Sequence, residues 1–172
     1  MIALGLDDLD DLEPLWLQLH AHHQAVAPHL APYVDDATSW GERRAHYVDA
    51  LSRGGFLLGG RDADGRLDAY ALVGITSERP NAWSDTWEVG DAIAELETLL
   101  VLPELRGSGV GTLLLDAVDA ELDQRGIDDM LIGAVASNGD AIRLYERRGF
   151  VPAWVYMTRF GARVRRGTSP SG

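Results

Sequence analysis

Two glutamates lie two positions apart in an apolar stretch that leads into a glycine-rich turn. Glu95 and Glu97 belong to the stretch, and Gly107, Gly109 and Gly111 belong to the turn. A carboxylate on a strand can act as a general base that takes a proton from a nucleophile. A glycine-rich turn that opens a helix presents backbone N–H groups to an anion, most commonly a phosphate. Together these features predict proton transfer beside an anion-binding turn.

The spacing of the glycines excludes two familiar phosphate-binding motifs. A dinucleotide-binding fingerprint would need glycine at positions 107, 109 and 112, but position 112 is threonine. A P-loop needs a lysine after its last glycine, and the chain contains no lysine. The pattern that remains is Arg-x-x-Gly-x-Gly over residues 106–111, directly after Val-x-Pro over residues 101–103.

The elements around this turn are predicted to be two strands and two helices. Apolar runs indicate strands over 92–101 and 129–136, and apolar residues at three- and four-residue spacing indicate a helix over 109–125. Asn138 is predicted to cap a short helix over 139–148, which Gly149 and Phe150 end in a Schellman pattern. A last strand or strand pair is predicted over 151–160, followed by a frayed tail over 161–172.

Two helices are predicted in the part of the chain that precedes the glutamates. Leucines at three- and four-residue spacing indicate a helix over 6–30. A second helix is predicted to run from Thr38 or Ser39 to residue 53, with Ser39 and Glu42 as its capping box.

A hairpin is predicted between the second helix and the glutamates. Its strands cover residues 56–60 and 67–76, and residues 2–4 could add a short first strand. The long connection over 77–91 carries Trp83 and Trp87, which either pack on a substrate or cover the core.

The turn and the segment after it resemble the GCN5-related N-acetyltransferases, or GNAT family. The family signature Val-x-Pro-x-x-Arg-Gly-x-Gly-x-Gly matches completely over 101–111, and its Asn-x-x-Ala-x-x-Leu-Tyr-x-x-x-Gly-Phe block matches over 138–150. The resemblance covers roughly residues 92–160. It implies an α/β (α+β) GNAT fold, in which about four helices flank a mixed, mostly antiparallel sheet of six to seven strands. We expect one such domain over 1–160.

The resemblance also implies which residues bind acetyl-CoA, the expected co-substrate. The backbone of Leu99 and Val101 would bind the pantetheine as an added strand, and Asn138 would contact the same arm. Tyr145 would lie near the sulfur and protonate the departing thiolate, although it could instead be a core tyrosine. The amides that would bind the pyrophosphate belong to the glycine turn: Arg106, Gly107, Ser108, Gly109, Val110, Gly111 and Thr112.

The two glutamates are the candidates for the general base. Strand alternation would put Glu95, Glu97, Leu99 and Val101 on one face if no bulge intervenes. We favour Glu97 as the base, with Glu95 second. The alternative is that one or both carboxylates only attract a cationic substrate.

Composition limits the class of partner. The 172 residues carry a formal net charge of −12, which disfavours nucleic acid and anionic membranes as partners. The acidic excess lies in residues 1–100, so we expect a cationic small-molecule or peptide amine as the acceptor. No metal site is predicted, because His20 and His22 do not share a helical face. A cytoplasmic location and a possible homodimer complete the expectations.

The predicted activity is therefore direct acetyl transfer from acetyl-CoA to a primary amine. Two rival functions remain open: a regulatory module that binds acyl-CoA without turnover, and a toxin that acetylates aminoacyl-tRNA. The net charge of −12 argues against the second.

Overall fold

A five-stranded sheet forms the centre of the computed structural model, which describes residues 1–159. The predicted tail over 161–172 lies outside the described residues. The strands follow one another across the sheet in chain order, and all neighbours are antiparallel except the last two, which are parallel. They are β1 (Ile2–Leu4), β2 (Phe56–Arg61), β3 (Leu67–Thr76), β4 (Ile93–Val101) and β5 (Asp129–Ile132).

Four α-helices accompany these strands in the described part of the chain. Short 3₁₀ helices cover Leu6–Leu12, Pro28–Leu30 and Pro103–Leu105. The α-helices are α1 (Glu13–Val26), α2 (Asp36–Ser52), α3 (Val110–Arg125) and α4 (Gly139–Arg147). None of the described helices combines the length and the apolar composition needed to cross a membrane.

The predicted helix over 6–30 is divided into three pieces. Residues 6–12 form a 3₁₀ helix, and α1 starts only at Glu13, with Pro14 in its first turn. Proline fits there because the first amides of a helix have no intrahelical acceptor. The helix then ends before Pro28, as predicted.

The predicted capping box of α2 is wrong. Asp35 is the N-cap, and its carboxylate accepts a hydrogen bond from the Thr38 amide at 2.8 Å. Ser39 lies inside the helix, where it is buried and accepts a hydrogen bond of 2.9 Å from the Trp16 indole. Tertiary contact with α1 therefore decides the role of Ser39.

The sheet separates two hydrophobic cores. One core lies between the sheet and α1 with α2, and it includes Leu9, Leu12, Trp16, Tyr47, Tyr70, Leu72 and Leu100. The other lies between the sheet and α3, and it includes Val73, Ala94, Leu96, Leu114, Leu115 and Val118. A sheet that is buried on both faces in this way fixes the positions of its strand ends.

The described residues form five strands, fewer than the six to seven expected. Residues 151–159 form no strand, and side chains such as Val155 and Tyr156 are more than four-fifths exposed. The predicted strand over 129–136 also ends early, at Ile132. β5 pairs only with Ile93 to Leu96 of β4, so it stops where β4 changes its register.

The tryptophans of the long connection neither enter the core nor line the cleft described below. Trp83 and Trp87 lie 5.4 Å apart between ring centroids, and both contact Trp154, at 6.1 and 5.3 Å. Residues 77–91 and the segment after α4 therefore hold each other in place through a partly exposed aromatic cluster.

Candidate active site

A β-bulge at Glu97 organises the site. Across the β3–β4 ladder, Thr98 pairs with Leu72 and Leu96 pairs with Val73, so Glu97 is an extra residue without a partner on β3. A bulge of this kind bends the strand and redirects its side chains.

The bulge overturns the expectation that four alternate residues share one face. Glu95 and Glu97 both line a cleft beside α2, so these two side chains share a face of the strand, as expected. Leu99 and Val101 instead pack with the core beneath α3. The extra residue shifts the alternation by one position, so the strand turns its odd-numbered side chains from one face of the sheet to the other.

The Glu97 carboxylate is largely buried and bonded to a histidine. Its side chain is 13% exposed, and Oε2 is hydrogen-bonded to Nε2 of His46 on α2. Burial raises the pKa of Glu97, and Glu95 raises it further, whereas His46 and Arg43 act in the opposite direction. A carboxylate with a raised pKa is a stronger base than an exposed glutamate, which suits proton abstraction near neutral pH.

A buried hydroxyl network fixes α2 beneath this pair. Tyr47, which follows His46, shares hydrogen bonds of 2.6 Å with Thr98 and 3.1 Å with Tyr70. All three side chains are buried, and burial is the main reason why the pKa of Tyr47 is raised. The network ties α2 to the strand position next to the bulge, so His46 and Glu97 meet on a fixed support.

The space that Glu97 occupies depends on Gly74 of β3. A Cβ added to Gly74 would overlap Oε1 of Glu97, which is the end of a flexible side chain. The fold can accommodate such a group only if the carboxylate moves.

Gly74→Ala is therefore expected to reduce turnover about tenfold while changing the melting temperature by only a few degrees, because the displaced carboxylate no longer faces His46. Thermal unfolding and thiol release from acetyl-CoA measure the two effects. Gly5→Ala is the matched control, since a Cβ there meets no atom within 4 Å. Equal turnover in both variants would show that the position of Glu97 has no catalytic importance.

A groove extends from the two glutamates along α2. The inner cleft of about 190 Å³ is lined by Arg43, His46, Glu95, Leu96, Glu97 and Gly133. An adjoining space of about 340 Å³ shares Arg43 and His46 with it and reaches Trp16, Val34, Ser39 and Glu42. The groove therefore leads from solvent to the Glu97 carboxylate, as an acceptor site would.

The glycine turn has the backbone conformation that its glycines suggest. Gly107 and Gly109 have φ angles of 79° and 94°, and Gly109 is the N-cap of α3. The Leu113 amide makes the first bond of the helix, to Gly109, so the amides of residues 110–112 precede any intrahelical acceptor. Amides in this position are able to donate hydrogen bonds to an anion. The Arg106 guanidinium donates to the Val101 carbonyl at 3.2 Å and closes the turn against β4.

The end of β4 lies beside this helix start. Pairing with β5 ends at Leu96, and in the described chain residues 97–101 pair only with β3. In the described chain the edge next to Leu99 and Val101 therefore has no strand partner, although the Val101 carbonyl accepts the hydrogen bond from Arg106. Gly111 lies between Val101 and Leu144 of α4, at 3.7 and 3.8 Å from an added Cβ, so turn, strand end and α4 converge here.

Asn138 holds the start of α4 rather than projecting freely. Its side-chain oxygen accepts from the Ala141 amide at 3.3 Å, and its amide nitrogen lies 3.3 Å from Nε2 of His22 on α1. The predicted cap is therefore confirmed. A cofactor that contacts Asn138 must therefore bind a side chain that already caps α4.

Tyr145 lies in the last turn of α4, whose C-terminal end is well anchored. Bonds from the Gly149 and Phe150 amides to the carbonyls of Glu146 and Tyr145 confirm the Schellman motif. Arg148 ties the helix to α3 through Asp116 at 2.6 Å and Asp119 at 2.5 Å.

Burial raises the pKa of Tyr145 to about 12, so the phenol keeps its proton at physiological pH. Among residues 1–159, its hydroxyl has no hydrogen-bond partner. The side chain does contact Phe150, with ring centroids 6.0 Å apart. A protonated hydroxyl without a protein acceptor is free to donate to a ligand.

Sequence reasoning did not identify His46, Arg43 or Gly74. Each of the three acts on Glu97 or on the groove from another element, 23 or more positions away in the chain. No local spacing connects them to the strand, and α2 carries no family motif.

The chain resembles known acetyltransferases in sequence. Residues 16–150 match the acetyltransferase (GNAT) family model. A mycothiol acetyltransferase from Thermobispora bispora is 32% identical over 138 residues, which are 80% of this chain and 42% of that protein. A [ribosomal protein bS18]-alanine N-acetyltransferase from Salmonella typhimurium is 30% identical over 93 residues, covering 54% and 53% of the two chains. This chain thus spans about half or less of the length of these curated relatives.

Solved structures show the same fold. A tetramutant protein from Bacillus halodurans superposes with a TM-score of 0.73 at 18% identity, over 92% of this chain and 99% of that one. A predicted acetyltransferase from Clostridium acetobutylicum, solved with acetyl-CoA, gives a TM-score of 0.68 at 16% identity, over 91% and 94%. The family match, the fold and the two motifs agree, and the chain belongs to the GNAT acetyltransferase family.

Proposed function

We propose that this protein transfers an acetyl group from acetyl-CoA to a primary amine of a small-molecule or peptide acceptor, by direct attack of the amine. The observation that carries the proposal is the position of Glu97. The bulge turns its carboxylate into the groove, His46 holds it, and burial raises its pKa. A base in this place can take a proton from an amine that enters along α2.

The donor set beside the groove suits acetyl-CoA, which when bound would supply the acetyl group as a thioester. The amides of residues 110–112 and the Arg106 side chain would hold its phosphates. The edge of β4 at Leu99 and Val101, which has no strand partner in the described chain, would bind an extended amide chain through backbone hydrogen bonds. These groups lie on the α3 side of the sheet end, whereas Glu97 faces α2, so donor and acceptor would approach from opposite sides.

The proton transfers then divide between two residues. The amine nitrogen would form the new N–C bond, with its proton going to Glu97 directly or through water. As the C–S bond breaks, the Tyr145 hydroxyl would donate its proton, or a strong hydrogen bond, to the sulfur. The pKa of about 12 favours this role, because the phenol is protonated whenever the cycle begins.

The direct test is to incubate the purified protein with acetyl-CoA and a panel of amines and short peptides. Thiol release should depend on the amine, and mass spectrometry should find an acetylated product. Binding of CoA without thiol release for any amine would instead identify a non-catalytic acyl-CoA-binding module. Acetylation of aminoacyl-tRNA alone would identify the toxin activity.

The glycine turn gives a separate prediction about cofactor binding. Gly109→Ala should raise the dissociation constant of CoA several-fold, because a non-glycine residue at a φ of 94° costs about 1–2 kcal/mol and shifts the helix start. Gly54→Ala is the matched control: its φ is 91°, and an added Cβ at either position meets no atom within 4 Å. Calorimetric titration with CoA should give a higher dissociation constant for Gly109→Ala than for Gly54→Ala. If Gly54→Ala weakens CoA binding as much, strain alone explains the loss.

A further inference from the structure

Arg43 lies in the groove with its guanidinium held by aromatic rings rather than by an acid. The guanidinium carbon lies 4.2 Å from the Trp16 ring centroid and 5.7 Å from that of Tyr47. Such contacts orient a cation without neutralising its charge or satisfying its N–H groups. Arg43 is half-buried and lines both parts of the groove.

No ion pair satisfies this cation within residues 1–159. Its neighbour Arg44 points elsewhere and pairs with Asp10 at 2.9 Å, and no described carboxylate lies within 4.0 Å of Arg43. The charge of Arg43 lowers the pKa of Glu97, but Oε2 of that carboxylate is already bonded to His46. A half-buried guanidinium with free donors is a ready partner for an anion, and its planar fork matches the two oxygens of a carboxylate.

The groove therefore carries opposite charges at two places. Glu95 and Glu97 form its inner end, where an amine must arrive for proton transfer. Arg43 lies three positions before His46 on α2, so the two side chains project roughly 5–6 Å apart on one helix face. An acceptor that spans these places would have an amine at one end and a negative charge about one helical turn away.

We propose that the acceptor is an amine that also carries a carboxylate, which Arg43 binds in the groove along α2. This inference rests on the proposed acetyl transfer to an amine, and it changes the expectation of a purely cationic acceptor. The acidic residues 95 and 97 attract the ammonium end, and Arg43 selects molecules whose other end is an anion. Amino acids, amino-acid-like metabolites and peptides with a nearby carboxylate share this chemistry.

The test compares acids with their amides. Glycine, β-alanine and 4-aminobutanoate vary the separation of amine and carboxylate, and the corresponding primary amides remove the charge at nearly constant shape. The wild-type protein is expected to acetylate the best acid with a kcat/KM at least tenfold above that of its amide. Because Arg43 also lowers the pKa of Glu97, the assay is run at a pH where Glu97 is deprotonated in both proteins. There, Arg43→Gln should lower kcat/KM for that acid by about 10- to 100-fold, mainly through KM, and change kcat/KM for the amide less than twofold.

Arg44→Gln is the matched control, because it removes the same charge from the adjacent position outside the groove. Arg44→Gln should leave kcat/KM unchanged for both the acid and the amide. Equal kcat/KM values of the wild-type protein for the acid and its amide would overturn the inference. So would an equal loss for both substrates in Arg43→Gln, which would mean that Arg43 only supports Trp16.

A binding experiment keeps the inference separate from the proposed activity. Calorimetric titration with 4-aminobutanoate and 4-aminobutanamide, without acetyl-CoA, should show tighter binding of the acid to the wild-type protein and no such preference in Arg43→Gln. If no amine is acetylated but this preference is found, the proposed transfer fails and the carboxylate site stands. If amines are acetylated without this preference, the carboxylate site fails alone.

Discussion

Glu97→Gln is expected to lower kcat/KM for an amine by about 10²- to 10⁴-fold, the usual contribution of a general base. The amide keeps the size of the side chain and a hydrogen bond to His46, but it cannot accept a proton. Because the carboxylate is 13% exposed and held in a bulge, water has poor access to replace it. Thiol release from acetyl-CoA at saturating cofactor measures the loss.

The pH profile should identify the mechanism of this loss. Glu97 acts as a base only when it is deprotonated, so the wild-type rate is present above its pKa and falls as pH drops through it. Burial raises this pKa, which moves the acid limb to a higher pH than an exposed glutamate would give. Glu97→Gln should lose this limb and keep a low rate at all pH values. A variant that keeps the wild-type limb would exclude Glu97 as the base.

Glu95→Gln and Glu42→Gln are the controls for charge. Both remove one negative charge from the groove, but neither carboxylate is held by a histidine. We expect Glu95→Gln to raise the KM for the amine a few-fold and Glu42→Gln to raise it by a smaller factor. If Glu95→Gln abolishes turnover and Glu97→Gln does not, the assignment of the two glutamates must be exchanged.

Tyr145→Phe is expected to lower kcat about 10- to 100-fold, with little change in the KM for acetyl-CoA. The ring still fills its place against Phe150, whereas the hydrogen bond to a charged group, worth roughly 1.5–3 kcal/mol, is lost. Steady-state kinetics with varied acetyl-CoA separates kcat from KM. The effect should also depend on the leaving group and shrink for a thioester of a more acidic thiol.

Tyr156→Phe is the matched control for Tyr145. It deletes a phenol oxygen from a side chain that is 87% exposed, and its turnover should equal that of the wild-type protein. Unchanged kcat in Tyr145→Phe would assign this tyrosine to packing alone, which is the alternative that its position in the helix leaves open.

Local sequence signals determined the cofactor side of this protein. The turn over residues 106–111 needs positive φ at two glycines, and those glycines stand where the φ angles of 79° and 94° occur. Asn138 caps α4 and Gly149 ends it, as their residue types predict. In each case the conformation depends on residues within one turn of each other, so spacing along the chain contains the information.

Only the tertiary structure decided the arrangement of the groove that we propose for the acceptor. The bulge at Glu97 arises from pairing with β3, and it reverses the faces that strict alternation assigns to Leu99 and Val101. His46 reaches Glu97 across 51 positions of the chain, and the segment over 151–159 forms no ladder in the described structure. Which strands pair, in which register, and which helix face lies over them depend on long-range packing, and no short pattern of residues encodes them. The sequence thus determined the conformation of the turn to which we assign the phosphate-bearing donor, and packing decided which carboxylate and which cation line the groove that we propose for the acceptor.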